Sequence, residues 1–594
     1  MYNNEDQLQE LNKEELFLNE HKKLQFKKIT SIVKKEYTGK VYDLKVNNTK
    51  NYNTAIGFVH NGGKRKGAAC VYLDTHHPDI LSFLELKDNT GEKERRGHNI
   101  NIANWIPSLF MERVKNNEMW SLFDPTTCKE LNDLFGEEYN KKYFELEEKG
   151  LFVKQIPAKT VFHRMMKTLS ETGNGWMCFR DSSNIRCNTA TGGDVLHSSN
   201  LCTEILEPTA SGQYVTFKKD ELDSIDKTNL NIISYDAEKE EFTAIHNGET
   251  AVCNLGSINI GKYFKDGTLD VKKLHKNVAL AVKFLDKVID RNFYPTYEAK
   301  ASNSRHRPVG LGIMGLQDFF FKMKIPFDSN EAIKWSAKIQ EEIYYAALKT
   351  SCKLAKELGK HADFEKSHAA NGLLQFDLAK PLSQLKDSMV EIFPNGTIIE
   401  DMARWNALKE DIKENGLRNS LLIAIAPTVT IAAITASQEC IEPQISNIFK
   451  TETLSGEFIR TNRYLVEDLK EIGLWNKTIA DKIIMAEGSI QNISEIPQSL
   501  KDLYKTVWEI KQRWLINHAT VRSYFIDQSQ SLNLFVENPK LETLSSMYMY
   551  LYEQDLKTSY YLRSKAATKI NKSMTSDTQE VKNLENPETC ESCT

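Results

Sequence analysis

An α/β fold is predicted for the span from Gly62 to about Lys572, and three observations carry that expectation. Strand-like and helix-like stretches alternate throughout it, the order found when helices cover a sheet. The 594 residues are 40% hydrophobic and 27% charged, ample material for a large buried core. No run approaches the roughly 18 apolar residues needed to cross a bilayer, so neither a membrane span nor a membrane partner is expected. The net charge is −4, from 77 basic against 81 acidic residues, which argues against nucleic acid as the main partner. The N-terminus is polar and acidic rather than basic and then apolar, so a cytoplasmic location is the default. Ten widely spread cysteines read as reduced thiols, not as a secreted disulfide framework.

Residues 1–61 form a segment of different character, expected to be a small, mainly β unit. A charged, helix-like start leads to strand-like alternation in Val41-Tyr42-Asp43-Leu44-Lys45-Val46, and the segment ends in Asn51-Tyr52-Asn53-Thr54-Ala55-Ile56-Gly57-Phe58-Val59-His60-Asn61. The side-chain amide of Asn61 can attack its own carbonyl and break the bond to residue 62, with His60 assisting as acid or hydrogen-bond donor. Two short strands closing on His-Asn resemble the C-terminal splicing segment of an intein. Splicing normally uses Cys, Ser or Thr as the next residue, and Gly62 has no side-chain nucleophile. The resemblance therefore implies cleavage after Asn61 and leaves ligation open, with the segment either half of a split intein or a decayed remnant.

The central chemical motif is Asn200-Leu201-Cys202-Thr203-Glu204. A locally extended backbone would put Asn200, Cys202 and Glu204 on one side, because strand side chains alternate with period two. An amide to hold a hydroxyl, a carboxylate to take a proton and a thiol between them make a chemical site. Ser198-Ser199-Asn200-Leu201-Cys202-Thr203-Glu204-Ile205 resembles the radical-cysteine segment of the ribonucleotide reductase large subunit. Further segments agree in that family's order: Ala251 to Asn259, Arg305 to Gly312, Ala426 to Ala432, Leu454 to Phe458 and Ile526 to Asn533. The similarity runs from about Gly62 to the C-terminus. It implies a ten-stranded α/β barrel with a finger loop carrying Cys202 into its centre. The barrel would be incomplete here, because nothing before Gly62 resembles the family's nucleotide-binding regulatory region and first strands.

The resemblance implies a role for each candidate residue. Cys202 is the transient thiyl radical that removes the ribose 3′ hydrogen, Asn200 holds the ribose hydroxyls, and Glu204 is base at the 3′ hydroxyl. Cys253 is one member of the dithiol that reduces the 2′ carbon, its partner lying upstream of the region present here. Gly62, Gly63, Lys64, Arg65, Lys66 and Gly67 resemble the loop that reports a bound allosteric nucleotide to the substrate base. That effector, a deoxynucleoside triphosphate or ATP, would bind mainly in the missing region.

An apolar strand-like run from Leu421 to Ala426 leads into Pro427-Thr428-Val429-Thr430-Ile431 and an alanine-rich helix, a layout suited to holding phosphate at a helix N-terminus. The family resemblance implies that Thr428 and Thr430, helped by Ser198 and Ser199, contact the substrate diphosphate; without it, Thr428 reads as an N-cap. Tyr560 and Tyr561 resemble the adjacent tyrosines that relay a radical in class I reductases, which implies a separate small subunit carrying the metal site and speaks against the cobalamin-dependent class. No convincing metal-ligand spacing occurs in this chain; His76-His77 reads as structural.

After Lys572 apolar periodicity stops, and residues 573–594 read as a flexible tail ending in Cys590-Glu591-Ser592-Cys593. About 18 residues at up to ~3.4 Å each give this dithiol a reach of roughly 60 Å, enough to visit a buried disulfide and return to thioredoxin or glutaredoxin. The expectation is a ribonucleoside-diphosphate reductase large subunit, dimeric as in its family, acting with a complementary N-terminal fragment. The alternative is a non-catalytic remnant whose own chemistry is cleavage at Asn61.

Overall fold

The computed structural model describes residues 51–54, 57–60, 67–221, 230–386, 388–453 and 456–565. The chain divides into two compact units between Lys66 and Gly67. In the first, β1 (Asn51–Thr54) pairs antiparallel with β2 (Gly57–His60), Asn51 opposite His60 and Thr54 opposite Gly57. Asn61, Gly62, Gly63, Lys64, Arg65 and Lys66 lie outside the described residues, as do Cys590 and Cys593.

The second unit is built around parallel strands. β3 (Cys70–Asp74), β4 (Asn101–Ile106) and β5 (Trp176–Phe179) form one sheet with β4 in the middle. On the far side of β5, Ser559 N–H donates to Met177 O at 2.8 Å and Phe179 N–H to Lys557 O at 2.7 Å, an antiparallel pairing. The same C-terminal segment runs parallel to Leu534–Phe535 through Leu562–Arg563. Bridges then join Gln530 to Ile425 and Ile423 to Leu311, and Gly310–Met314 pairs in parallel with Leu255–Asn259. The resulting series of strands has Cys70–Asp74 and Leu255–Asn259 at its two ends, so the described strands do not close into a barrel.

Side-chain alternation on these strands makes two environments. Ala103, Trp105, Trp176 and Cys178 point inward and pack with Leu196, Cys202, Leu206 and Tyr560. Their neighbours Ile102, Ile106, Met177 and Phe179 point outward into a core shared with helices such as Ala158–Thr172 and Leu541–Glu553. Strands buried on both faces need apolar residues at both parities, as the fully buried Trp176–Phe179 and Gly310–Met314 show. The larger core centres on Asn330–Leu358, a 29-residue helix about 44 Å long, which packs on Val271–Arg291, Met402–Asn415 and Gln512–Ser523. Gly312 is required where two strands meet closely, since a Cβ there would sit 2.6 Å from Ala424 O.

An element not foreseen from the sequence projects between Glu207 and Cys253. Gln213–Lys218, Leu230–Asp236 and Glu241–His246 form a three-stranded antiparallel sheet, the last strand in the middle. Phe217, Phe242 and Tyr235 stack across one face of it. Among the described residues no helix is long and apolar enough to cross a membrane.

Candidate active site

The loop bearing Cys202 is anchored at Leu196, whose N–H donates to Asn184 Oδ1 at 2.8 Å and whose carbonyl accepts from Asn184 Nδ2 at 3.1 Å. It is a tight loop, which corrects the extended backbone expected for residues 200–204. Asn200 closes it: its Oδ1 accepts from Ile205 N–H at 3.0 Å, its N–H donates to Ile205 O at 3.2 Å, and its carbonyl accepts from Thr203 N–H at 3.2 Å. Thr203 takes a left-handed φ of 66° to complete the turn. An amide that can bond its own backbone competes successfully with strand geometry.

The loop is then gripped from the strands. Ser531 Oγ donates to Cys202 O and, at 3.2 Å, shares a hydrogen bond with Glu204 Oε2. Ser529 N–H donates to Glu204 O at 2.9 Å, Thr558 Oγ1 to Thr203 O at 3.0 Å, and Leu206 N–H to Gln528 Oε1 at 3.1 Å. Cys202 is buried, and the hydroxyl of Tyr560 donates to its sulfur at 3.4 Å. The Tyr560 and Tyr561 rings lie 4.5 Å apart, with Trp176 at 4.8 and 5.3 Å from them. Cys202 is disulfide-bonded, which corrects the expectation of reduced thiols at this one described position.

Burial pushes the Glu204 carboxyl up to about 7, even though hydrogen bonds from Asn200 and Ser531 pull it down. Such a group can accept a proton near neutral pH. Cys253 is a free thiol with an exposed residue, yet protein crowds its sulfur on most sides. That desolvation, reinforced by the carboxylates of Glu207 and Glu204, raises its pKa well above the ordinary thiol value, while a hydrogen bond with Asn200 acts the other way. Asn200, Cys202, Glu204, Cys253, Tyr560 and Tyr561 are thus brought into one region.

The phosphate candidates sit as follows. Ser198 and Ser199 are half-buried, and Ser199 Oγ bonds Tyr72 Oη and, at 2.9 Å, Asn200 O. Pro427 leads into the short helix Val429–Thr435, which contains Thr430 and Ile431. Thr428 precedes it at a φ of 61°, its hydroxyl accepting from Cys440 N–H at 2.8 Å instead of capping the helix. Gly67 is exposed. His76 is buried, its Nδ1 hydrogen-bonded with Tyr139 Oη at 3.0 Å.

Sequence reasoning passed over Glu207, Ser531, Tyr72 and Trp176. Ser531 lies in the Ile526 to Asn533 segment, whose paired serines were a usable signal; nothing local distinguishes Glu207 or Trp176.

A model of the family described as "Ribonucleotide reductase, barrel domain" matches residues 37–562. The chain belongs to the ribonucleotide reductase barrel-domain family. The match starts ahead of Gly62 and so includes part of the segment with intein-like features. The chain is 40% identical over 519 residues to the ribonucleoside-diphosphate reductase large chain of Schizosaccharomyces pombe, covering 87% of this chain and 58% of that protein. It is 40% identical over 560 residues to the large subunit of Danio rerio, covering 93% and 63%, and 39% identical over 528 residues to subunit alpha of Chlamydia pneumoniae, covering 88% and 46%. The chain therefore spans roughly half to just under two thirds of the length of these ribonucleotide reductase relatives.

Proposed function

We propose that this chain is the catalytic C-terminal portion of a class I ribonucleoside-diphosphate reductase large subunit. The observation that carries the reading is the 3.4 Å hydrogen bond from Tyr560 to the Cys202 sulfur, with the Tyr561 ring 4.5 Å from that of Tyr560. A tyrosine on the buried sulfur with a second tyrosine packed against it forms a route by which an oxidising equivalent from a metal-bearing small subunit reaches Cys202. Reduced Cys202, as a thiyl, takes the 3′ hydrogen of a ribonucleoside diphosphate; Asn200 orients the ribose; Glu204 takes the 3′-hydroxyl proton. Cys253 and a second cysteine, supplied by a complementary N-terminal polypeptide, reduce the 2′ carbon. Ser198, Ser199 and the Pro427 to Ile431 segment hold the diphosphate, Gly62 to Gly67 carry the allosteric signal, and Cys590 and Cys593 pass electrons from thioredoxin or glutaredoxin.

The test mixes the reduced chain with an N-terminal large-subunit fragment, the small subunit and thioredoxin, and follows deoxyribonucleotide formation. Turnover is expected in the full mixture and lost in Cys202→Ser and Tyr561→Phe. No turnover in the full mixture overturns the reading, and turnover without the fragment overturns the need for it.

A second reading concerns residues 1–61. The β1–β2 hairpin, with His60 at its end, supports an intein-type segment that cleaves after Asn61. Intact-mass measurement on the purified chain is expected to show a species beginning at Gly62 that disappears in Asn61→Ala. An uncut chain under all conditions removes this reading.

A further inference from the structure

We propose that Glu207 is the proton donor and acceptor for the Cys253 sulfur. The proposal rests on the role given above to Cys253 and adds a residue to it. Ala210 and Glu249 form an antiparallel bridge, Ala210 N–H donating to Glu249 O at 3.1 Å and Glu249 N–H to Ala210 O at 2.8 Å. The bridge brings the segment that carries Glu207 against the segment that carries Cys253. The flanking residues agree: Ile205 Cδ1 and Leu255 Cδ2 both converge on the site a Cβ of Gly310 would occupy, at 3.2 and 2.7 Å. The two segments therefore approach each other at both ends of the stretch that carries Glu207 and Cys253.

Glu207 is 5% exposed, and neither carboxylate oxygen has a hydrogen-bond partner. A buried carboxyl normally finds a donor, and one left without a partner next to a reactive sulfur points to a role in proton transfer. Desolvation raises its pKa to about 8, so it is mostly the neutral acid at pH 7. The ionisable groups acting on Cys253 from the loop beside it are Glu207 and Glu204.

The step balances as follows. An external dithiol attacks the disulfide that Cys253 forms during substrate reduction; a new S–S bond forms to the attacking sulfur and the old one breaks. Cys253 leaves with the bonding electron pair as a thiolate, and the Glu207 carboxyl gives it a proton. The second thiol of the reductant then releases the mixed disulfide, both electrons having come from the dithiol, and solvent reprotonates Glu207. In the oxidising direction Glu207 first loses its proton to solvent and then, as the carboxylate, takes the proton of Cys253.

The test is the pH profile of Cys253 alkylation by iodoacetamide on the reduced full chain, read by mass spectrometry of the Cys253 peptide. Coupled ionisation of two neighbouring groups flattens a titration, so the wild-type profile is expected to be shallower than a single-proton curve. Glu207→Gln is expected to steepen the profile toward a single-proton curve and to lower the midpoint by about one unit, on the order of tenfold faster alkylation on the rising limb. Glu207→Asp is expected to regain the shallow profile. A wild-type profile of single-proton steepness, or superimposable wild-type and Glu207→Gln profiles, overturns the proposal, and the first of these needs no variant. Because alkylation requires no turnover, failure of the reductase reading is read separately, in the complementation assay.

Discussion

At the scale of single residues, the site is governed by buried carboxyls held near neutrality. Glu204 and Glu207, 1% and 5% exposed, have pKa values raised to about 7 and about 8. The unfolded chain would hold them near 4.5, so between that value and pH 7 to 8 the folded protein binds more protons than the unfolded one. Their contribution to stability is complete below about pH 4.5 and is lost as pH rises through 7 and 8. Denaturant unfolding of the full chain is expected to show this loss, on the order of a few kcal/mol between pH 5 and 8.5, with Glu207→Gln removing part of the slope. An unchanged slope in the variant would show that Glu207 does not titrate in that window.

The residues of the site were legible in unequal measure. Cys202, Asn200 and Glu204 stood out as candidates because three reactive side-chain types crowd five positions whose flanks resemble the family's radical-cysteine segment. Their geometry did not, because the period-two argument assumes a strand, whereas Asn200 spends its own amide on closing a turn. Glu207 was invisible: its segment is brought to that of Cys253 by the Ala210–Glu249 bridge, which joins residues separated by an entire inserted sheet.

At the scale of elements, the alternation of strands and helices could be read from periodicity, since buried parallel strands and amphipathic helices leave strong apolar patterns. The inserted sheet could not. Its edge strand Leu230–Asp236 is exposed along nearly its whole length and mixes Ile232, Ile233 and Tyr235 with polar residues, so it carries no core signature. Because Ala210 and Glu249 already pair, their Cα atoms stand about 5 Å apart, a distance a tight turn spans. Replacing residues 212–247 with Asn-Gly is expected to leave a folded protein whose thermal midpoint shifts by only a few degrees. Unfolding of that variant would assign the sheet a structural role. The opposite outcome is expected for Gly312→Ala, where the added methyl meets the Ala424 carbonyl. Overpacking of this kind costs about 1–3 kcal/mol, measurable as a lower denaturant midpoint.

At the scale of the whole molecule, the family was legible because it rests on short segments in a fixed order. How the strands neighbour one another was not, since β5 pairs with residues near the far end of the chain. Met177 and Ser559, which share three hydrogen bonds across that seam, are 382 residues apart in sequence. A chain terminated after Glu553 lacks this partner and is expected to lose the packing around Cys202, seen as rapid proteolysis near Trp176.

The same seam sets a timetable for biosynthesis. At about 5–20 residues per second, β5 leaves the ribosome roughly 20 to 80 s before its partner strand exists. During that interval Trp176, Met177 and the Cys202 loop have no seam to close on, which makes the nascent chain a client for chaperones. Long-range pairing of this kind also slows refolding from denaturant. Recovery of native protein in vitro should therefore depend on dilution and on holding the chain soluble until its last strand arrives.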